Sequence, residues 1–226
     1  MNQPTPNNRK PNKTIEDLID FIESAAKGFT NSPTFKEQYH DGSDEDDLTG
    51  ILLWHYQEEN KQIGEKYVFT SQFKQKNKRK VDIGIGLYGG KGNHIFCIEA
   101  KILLLPQPRF DYITGKYAAI KRFKAQEHGL SSSNPNIGKP LPYNCIIAYV
   151  KLGTFKEHFI KINEKIKEIA EKHSQKADEF GLTWNASEQL EKIYFKSIAK
   201  LFSKHPRQSS SDVSLYHFWI YVHLKR

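Results

Sequence analysis

Hydrophobic positions along the chain recur with two periods, 3.6 residues and 2, and these separate predicted helices from predicted strands. Ile15, Leu18, Ile19 and Ile22 form one stripe. They predict a helix over 15–27, capped by Thr14, with Glu16 and Asp17 in its first turn and Gly28 as its stop. Residues 29–42 read as irregular. Leu48, Ile51, Leu52 and Tyr56 predict a second helix over 44–60, with Ser43 as N-cap and the acidic cluster 44–47 at its N-terminus. Tyr67 to Phe73 alternates as a strand. Val81 to Tyr88 and His94 to Ile102 read as two more strands, and the Gly-rich link 89–93 suits a hairpin. The second of these continues to Leu105, where Pro106 and Pro108 end it.

Tyr117 to Gln126 predicts a helix with Ile120 and Phe123 inward, closed by Gly129. Residues 131–142, rich in Ser, Asn, Pro and Gly, form a loop before an apolar strand over 144–151. Phe155, Phe159, Ile162 and Ile166 predict a long amphipathic helix over 154–173. Leu190, Ile193, Tyr194, Ile198 and Leu201 predict another over 187–203, and a strand over 213–224 ends the chain. This order implies an α/β fold with a mixed β-sheet flanked by α-helices.

With 226 residues the chain suits one domain with a sizeable core. Residues 1–13 are polar and Pro-containing and read as a disordered tail before a single domain over 14–226, with its core at about 44–151 and an extension over 152–226. The formal net charge of +8 favours a polyanionic partner such as nucleic acid, although a lysine-rich surface alone would produce it. Cys97 and Cys145 lie in apolar strands, as expected for buried reduced thiols in a reducing compartment. No zinc spacing is seen. The sequence shows neither a secretory h-region nor an apolar run of membrane-spanning length, so the expected location is cytoplasmic, without a membrane partner.

The hairpin carries the chemistry. A short loop centred on Gly90 and Lys91 places Asp82 directly opposite Glu99, with Cβ atoms about 4.5–5.5 Å apart. Lys101 lies two residues on and shares the face of Glu99. Carboxylates this close repel unless a cation intervenes, and a hard divalent ion such as Mg²⁺, with Mn²⁺ as the alternative, would fill that role. Gly84 and Gly86 leave that face of the strand bare, giving room for a metal shell or for close packing. A plain ion pair between Glu99 and Lys101 is the competing reading.

Asp82 followed on the adjacent strand by Glu99, Ala100 and Lys101 resembles the motif of the PD-(D/E)xK nuclease superfamily, which has the restriction-endonuclease-like fold. The resemblance covers roughly residues 45–150, and the family's Pro before the Asp is Val81 here. It implies a metal-dependent nuclease cutting DNA, in restriction, anti-phage defence or repair. Asp82, Glu99 and the Ala100 carbonyl would hold the metal, and Lys101 would orient or deprotonate the attacking water or stabilise developing charge. The family often adds an acid from its first core helix. Glu45 aligns with Leu48, Leu52 and Tyr56 and is the choice, with Asp46 and Asp47 left open. The basic run 74–80, with Lys76, Lys78, Arg79 and Lys80, leads into the Asp82 strand and is a candidate nucleic-acid contact. Arg122, Gln126 and His128 are candidates for phosphate contact, a solvated face being the alternative. Paired cuts in duplex DNA would call for a homodimer. The rival class is a catalytically inactive nucleic-acid-binding or protein-interaction module on the same fold.

Overall fold

Six consecutive residues, Cys145 to Val150, are fully buried, which requires a strand covered on both faces. They belong to β4 (Tyr143–Val150), the middle strand of a seven-stranded mixed sheet of order β1-β2-β3-β4-β7-β6-β5. The computed structural model describes residues 10–75, 79–90, 93–105, 110–132, 138–208 and 210–222. On one side of β4 lie β3 (His94–Leu103), β2 (Lys80–Leu87) and the edge strand β1 (Tyr67–Lys74). On the other lie β7 (Val213–Tyr221), β6 (Ile198–His205) and the edge strand β5 (Glu191–Phe195). The three central strands β3, β4 and β7 are parallel, and the outer pairs are antiparallel.

Alternation along β4 divides the interior in two. Cys145, Ile147 and Tyr149 face one core, shared with α1 (Lys13–Gly28), the short α2 (Pro33–Gln38) and α3 (Glu45–Gln62). Ile146, Ala148 and Val150 face the other, shared with α4 (Phe110–Ile113), α5 (Ala119–Lys124) and α6 (Phe155–His173). At its start α1 is capped by Asn12, which accepts from the Ile15 amide at 3.0 Å, rather than by Thr14. Within 29–42, read as irregular, Ser32 and Pro33 start α2, the serine capping and the proline at the first turn.

The predicted helix over 187–203 is instead a 3-10 turn at Ala186–Glu188 followed by the β5–β6 hairpin. Its apolar residues fit both periods, and burial follows the strand: Leu201, Ser203 and His205 are buried while Lys200, Phe202 and Lys204 are not fully so. The tail 1–9, Lys76, Lys78, Lys91, Pro106, Pro108 and residues 223–226 lie outside the described residues. Cys97 and Cys145 are free and buried. Among the described residues, no helix is long and apolar enough to cross a membrane.

Candidate active site

The β2–β3 pairing has the expected register, Ile83 to Ile98, Gly84 to Cys97 and Ile85 to Phe96, with a bulge before Gly86. The ladder ends at Ile83 and Ile98, and β3 continues past Asp82 paired to β4 but without a β2 partner on its other edge. That leaves even-numbered residues of β3 with backbone groups on an unpaired edge, since odd-numbered ones face β4. Two carboxylates cover this edge. Asp82 accepts from the Ala100 amide at 2.7 Å, and Glu45 accepts from the Ile102 amide at 3.1 Å. The Ala100 carbonyl points to the same edge as its amide, toward Asp82.

The start of α3 explains why Glu45 and not its neighbours reaches the strand. Asp44 is the N-cap, one residue later than expected, and forms a reciprocal capping box with Asp47 at 2.9 and 3.1 Å. Asp47 is thereby committed to the cap and Asp46 is exposed, whereas Glu45 turns toward β3. There its second oxygen accepts from Lys101 Nζ at 2.7 Å.

Glu99 is buried and faces Lys101, Arg122 and the His128 ring. Arg122 Nη1 lies at 2.7 Å and Lys101 Nζ at 3.3 Å from one oxygen, and His128 Nδ1 lies 2.9 Å from the other. Burial alone would raise its pKa, but His128, Lys101 and Arg122 outweigh that and hold the carboxyl at about 2. Burial would lower the Lys101 ammonium, yet Glu99, Glu45 and Asp82 raise it above its ordinary value. Asp82 goes the other way. Burial first, and then the charge of Glu99, push its carboxyl up to about 8. Asp82 is the under-compensated carboxyl of the set: it keeps its proton up to about 8 unless a cation replaces it.

Donor chemistry fits a hard divalent ion, because Asp82, Glu99 and the Ala100 carbonyl are all oxygen donors. Of these, Glu99 is already neutralised by Lys101 and Arg122, whereas Asp82 is not. Among the described residues no group of three or more His, Cys, Asp or Glu is arranged to hold a metal ion. A cavity of about 120 Å³ opens on the Lys101 side, lined by Glu45, Lys101, Ile102, Asp111, Tyr112 and Tyr117. Asp82 and Glu99 do not line it. Asp111, Tyr112 and Tyr117 carry no sequence signal for this place; α4 and the segment after it bring them to the cavity.

The proposed phosphate contacts are placed differently from one another. Arg122 and His128 reach the site as partners of Glu99, not as a solvated face. Gln126 sits at φ 57, in the position usually held by glycine where α5 ends. The Glu127 amide donates to the Arg122 carbonyl at 2.9 Å and that of Gln126 to the Phe123 carbonyl at 3.2 Å, a turn that swings His128 toward Glu99. Arg79 is paired with Glu127 at 2.5 Å, and Lys80 is exposed. Gly84 makes room for packing and not for a metal shell: a Cβ there would lie 2.6 Å from the His94 ring and 2.9 Å from Phe73.

Models of known families, curated proteins and solved structures provide no match to this chain.

Proposed function

We propose that the chain is a metal-dependent nuclease of the PD-(D/E)xK class that hydrolyses DNA phosphodiester bonds, on a restriction-endonuclease-like core. The observation that carries this reading is the convergence of Asp82, Glu99, Lys101 and Glu45 where β2 and β3 part, with one carboxyl of the set left without adequate counter-charge. Asp82, Glu99 and the Ala100 carbonyl would hold Mg²⁺, which when bound polarises the scissile phosphate and activates water. Lys101, kept protonated by its three carboxylate neighbours, serves as the cation that stabilises charge developing on the phosphate and orients the nucleophile. Glu45 positions Lys101 through its 2.7 Å contact. Removal of one such electrostatic donor costs about 10²–10³ in rate. Lys101→Ala is therefore expected to lower Mg²⁺-dependent cleavage of plasmid and single-stranded DNA by that factor, and an unchanged rate would refute the role.

A second reading is favoured by one observation. Glu99 already has two cationic neighbours, Lys101 and Arg122, so it is electrostatically satisfied without metal. A nucleic-acid-binding module that keeps the fold and has lost catalysis would look the same at Glu99, and it would bind DNA without cutting it.

A further inference from the structure

Tyr117 stands at the rim of the cavity that Glu45 and Lys101 line, and it is 55% exposed. Its ring belongs to neither apolar core. Charge holds it instead: Lys116 Nζ lies 5.2 Å and Arg122 Cζ 5.3 Å from the ring centroid. Arg122 is itself clamped to Glu99 at 2.7 Å, and Arg79 donates to the Lys116 carbonyl at 3.4 Å. An exposed ring is thus fixed beside the cations of the site and not left to swing over the surface.

The cavity, at about 120 Å³, is far below the roughly 300 Å³ at which pockets enclosing a small-molecule ligand begin. A nucleoside is too large for that volume. A strand with its phosphate at Lys101 therefore keeps the adjoining base outside, at the rim. Among the described residues the other ring in the wall, Tyr112, is fully buried, so the ring surface they offer to that base is Tyr117.

Building on the nuclease reading above, we propose that Tyr117 is a stacking platform for an unpaired base beside the scissile phosphate, which makes single strands and frayed duplex ends the substrate class, not intact duplex. A base inside a duplex has both faces covered by its neighbours, whereas an unpaired base has a face to offer. Stacking of one base on an aromatic side chain contributes about 1–3 kcal/mol. Lys116 adds positive charge beside the ring for the strand's phosphates.

The test separates binding from cutting. Wild type, Tyr117→Ala and Tyr117→Phe are titrated in EDTA against a single strand carrying 2-aminopurine and against its duplex. The same proteins are then assayed with Mg²⁺ for cleavage of both. Wild type is expected to prefer the single strand and to quench its fluorescence. Tyr117→Ala should weaken single-strand binding about 5- to 140-fold, with a smaller effect on duplex, and Tyr117→Phe should restore it. Equal loss on both substrates, no loss on either, or no binding to either overturns the platform. Quenching by a protein that cuts nothing supports the platform and removes the nuclease reading. Equal cutting of both substrates by wild type and Tyr117→Ala overturns the platform and leaves the nuclease reading in place.

Discussion

Replacing Glu188 by Ala is expected to destabilise the fold by about 3–5 kcal/mol, the cost of leaving a buried charge without its partner. Glu188 is fully buried. Lys124 Nζ donates to both of its oxygens at 2.6 Å, and His205 Nδ1 lies at 2.8 Å. From His205 a chain of hydrogen bonds runs through Ser203 Oγ (2.8 Å), His217 (2.8 Å) and Tyr112 Oη (2.7 Å) to Trp219 Nε1 (2.9 Å). Its direction is set by its ends. The Trp219 indole can only donate and a carboxylate can only accept. Each intervening group therefore accepts from the Trp219 side and donates toward Glu188, which makes both histidines neutral and of opposite tautomer. Burial lowers the pKa of both below the ordinary 6.5, in keeping with that assignment.

Without Glu188, the buried Lys124 ammonium and the His205 Nδ1–H lose their acceptor together. A loss of this size is a large part of the roughly 5–15 kcal/mol that holds a typical domain together. Denaturant unfolding of the variant beside wild type measures it, and a loss below about 1 kcal/mol would show the chain of hydrogen bonds to be dispensable. The sign of the pH dependence follows as well. The unfolded chain binds more protons than the folded one once pH falls below 6.5, so the stability contributed by neutral His205 and His217 is lost there. The carboxyl of Glu188 is held below its ordinary 4.5, against its own burial, by His205 and Lys124, so its contribution is lost in a second step below that value.

Asp82→Asn should act in the opposite direction. Its folded-state pKa is raised from 3.8 to about 8, so between those values the folded protein keeps a proton that the unfolded chain releases. Stability of the metal-free wild type therefore falls as pH rises through that window, and the cost is fully present above about 8. Asparagine cannot ionise, and its carbonyl can still accept from the Ala100 amide. Each tenfold change in the affinity of a carboxyl for its proton is worth about 1.4 kcal/mol, so the variant is expected to gain about a few kcal/mol over metal-free wild type above that pH. At pH values near the ordinary carboxylate range it should show no gain. For a chain of this size the gain corresponds to a melting temperature higher by several degrees. Added Mg²⁺ should raise the melting temperature of wild type and not that of the variant. A difference between the two proteins that does not change with pH would contradict the assignment of strain to this carboxyl.

Much of the site was legible in the sequence because local rules determine it. A Gly-rich turn makes the hairpin and its approximate register brings Asp82 into the neighbourhood of Glu99, but the expected direct opposition is absent: a bulge before Gly86 shifts the register, and the paired ladder ends at Ile83 and Ile98. The helical wheel pointed Glu45 inward, and the capping box at Asp44 and Asp47 is the reason its acidic neighbours stay out. The β5–β6 hairpin was misread because Leu190, Ile193, Tyr194, Ile198 and Leu201 satisfy a 3.6-residue stripe, while the β-branched and aromatic content of Ile193, Tyr194 and Phe195 was the signal for strand. His128 gave no local hint of its place against Glu99, because a left-handed turn at Gln126 puts it there. The buried chain from Lys124 to Trp219 is beyond the reach of pattern, since Tyr112 on α4 and His217 on β7 are 105 residues apart and meet only where the helix packs on the sheet. Tyr117 opens the helix that the pattern predicts, and its exposed place beside Lys101 is a tertiary feature of the segment between α4 and α5 that no local pattern carries.

Cleavage of a labelled single strand and of supercoiled plasmid by wild type and Asp82→Ala, each with Mg²⁺ and with EDTA, tests the nuclease assignment most directly. Cutting by wild type that requires Mg²⁺ and is lost in Asp82→Ala is the predicted result. Cutting that survives in EDTA or in Asp82→Ala, or a folded wild type that binds these substrates and cuts neither, would contradict it.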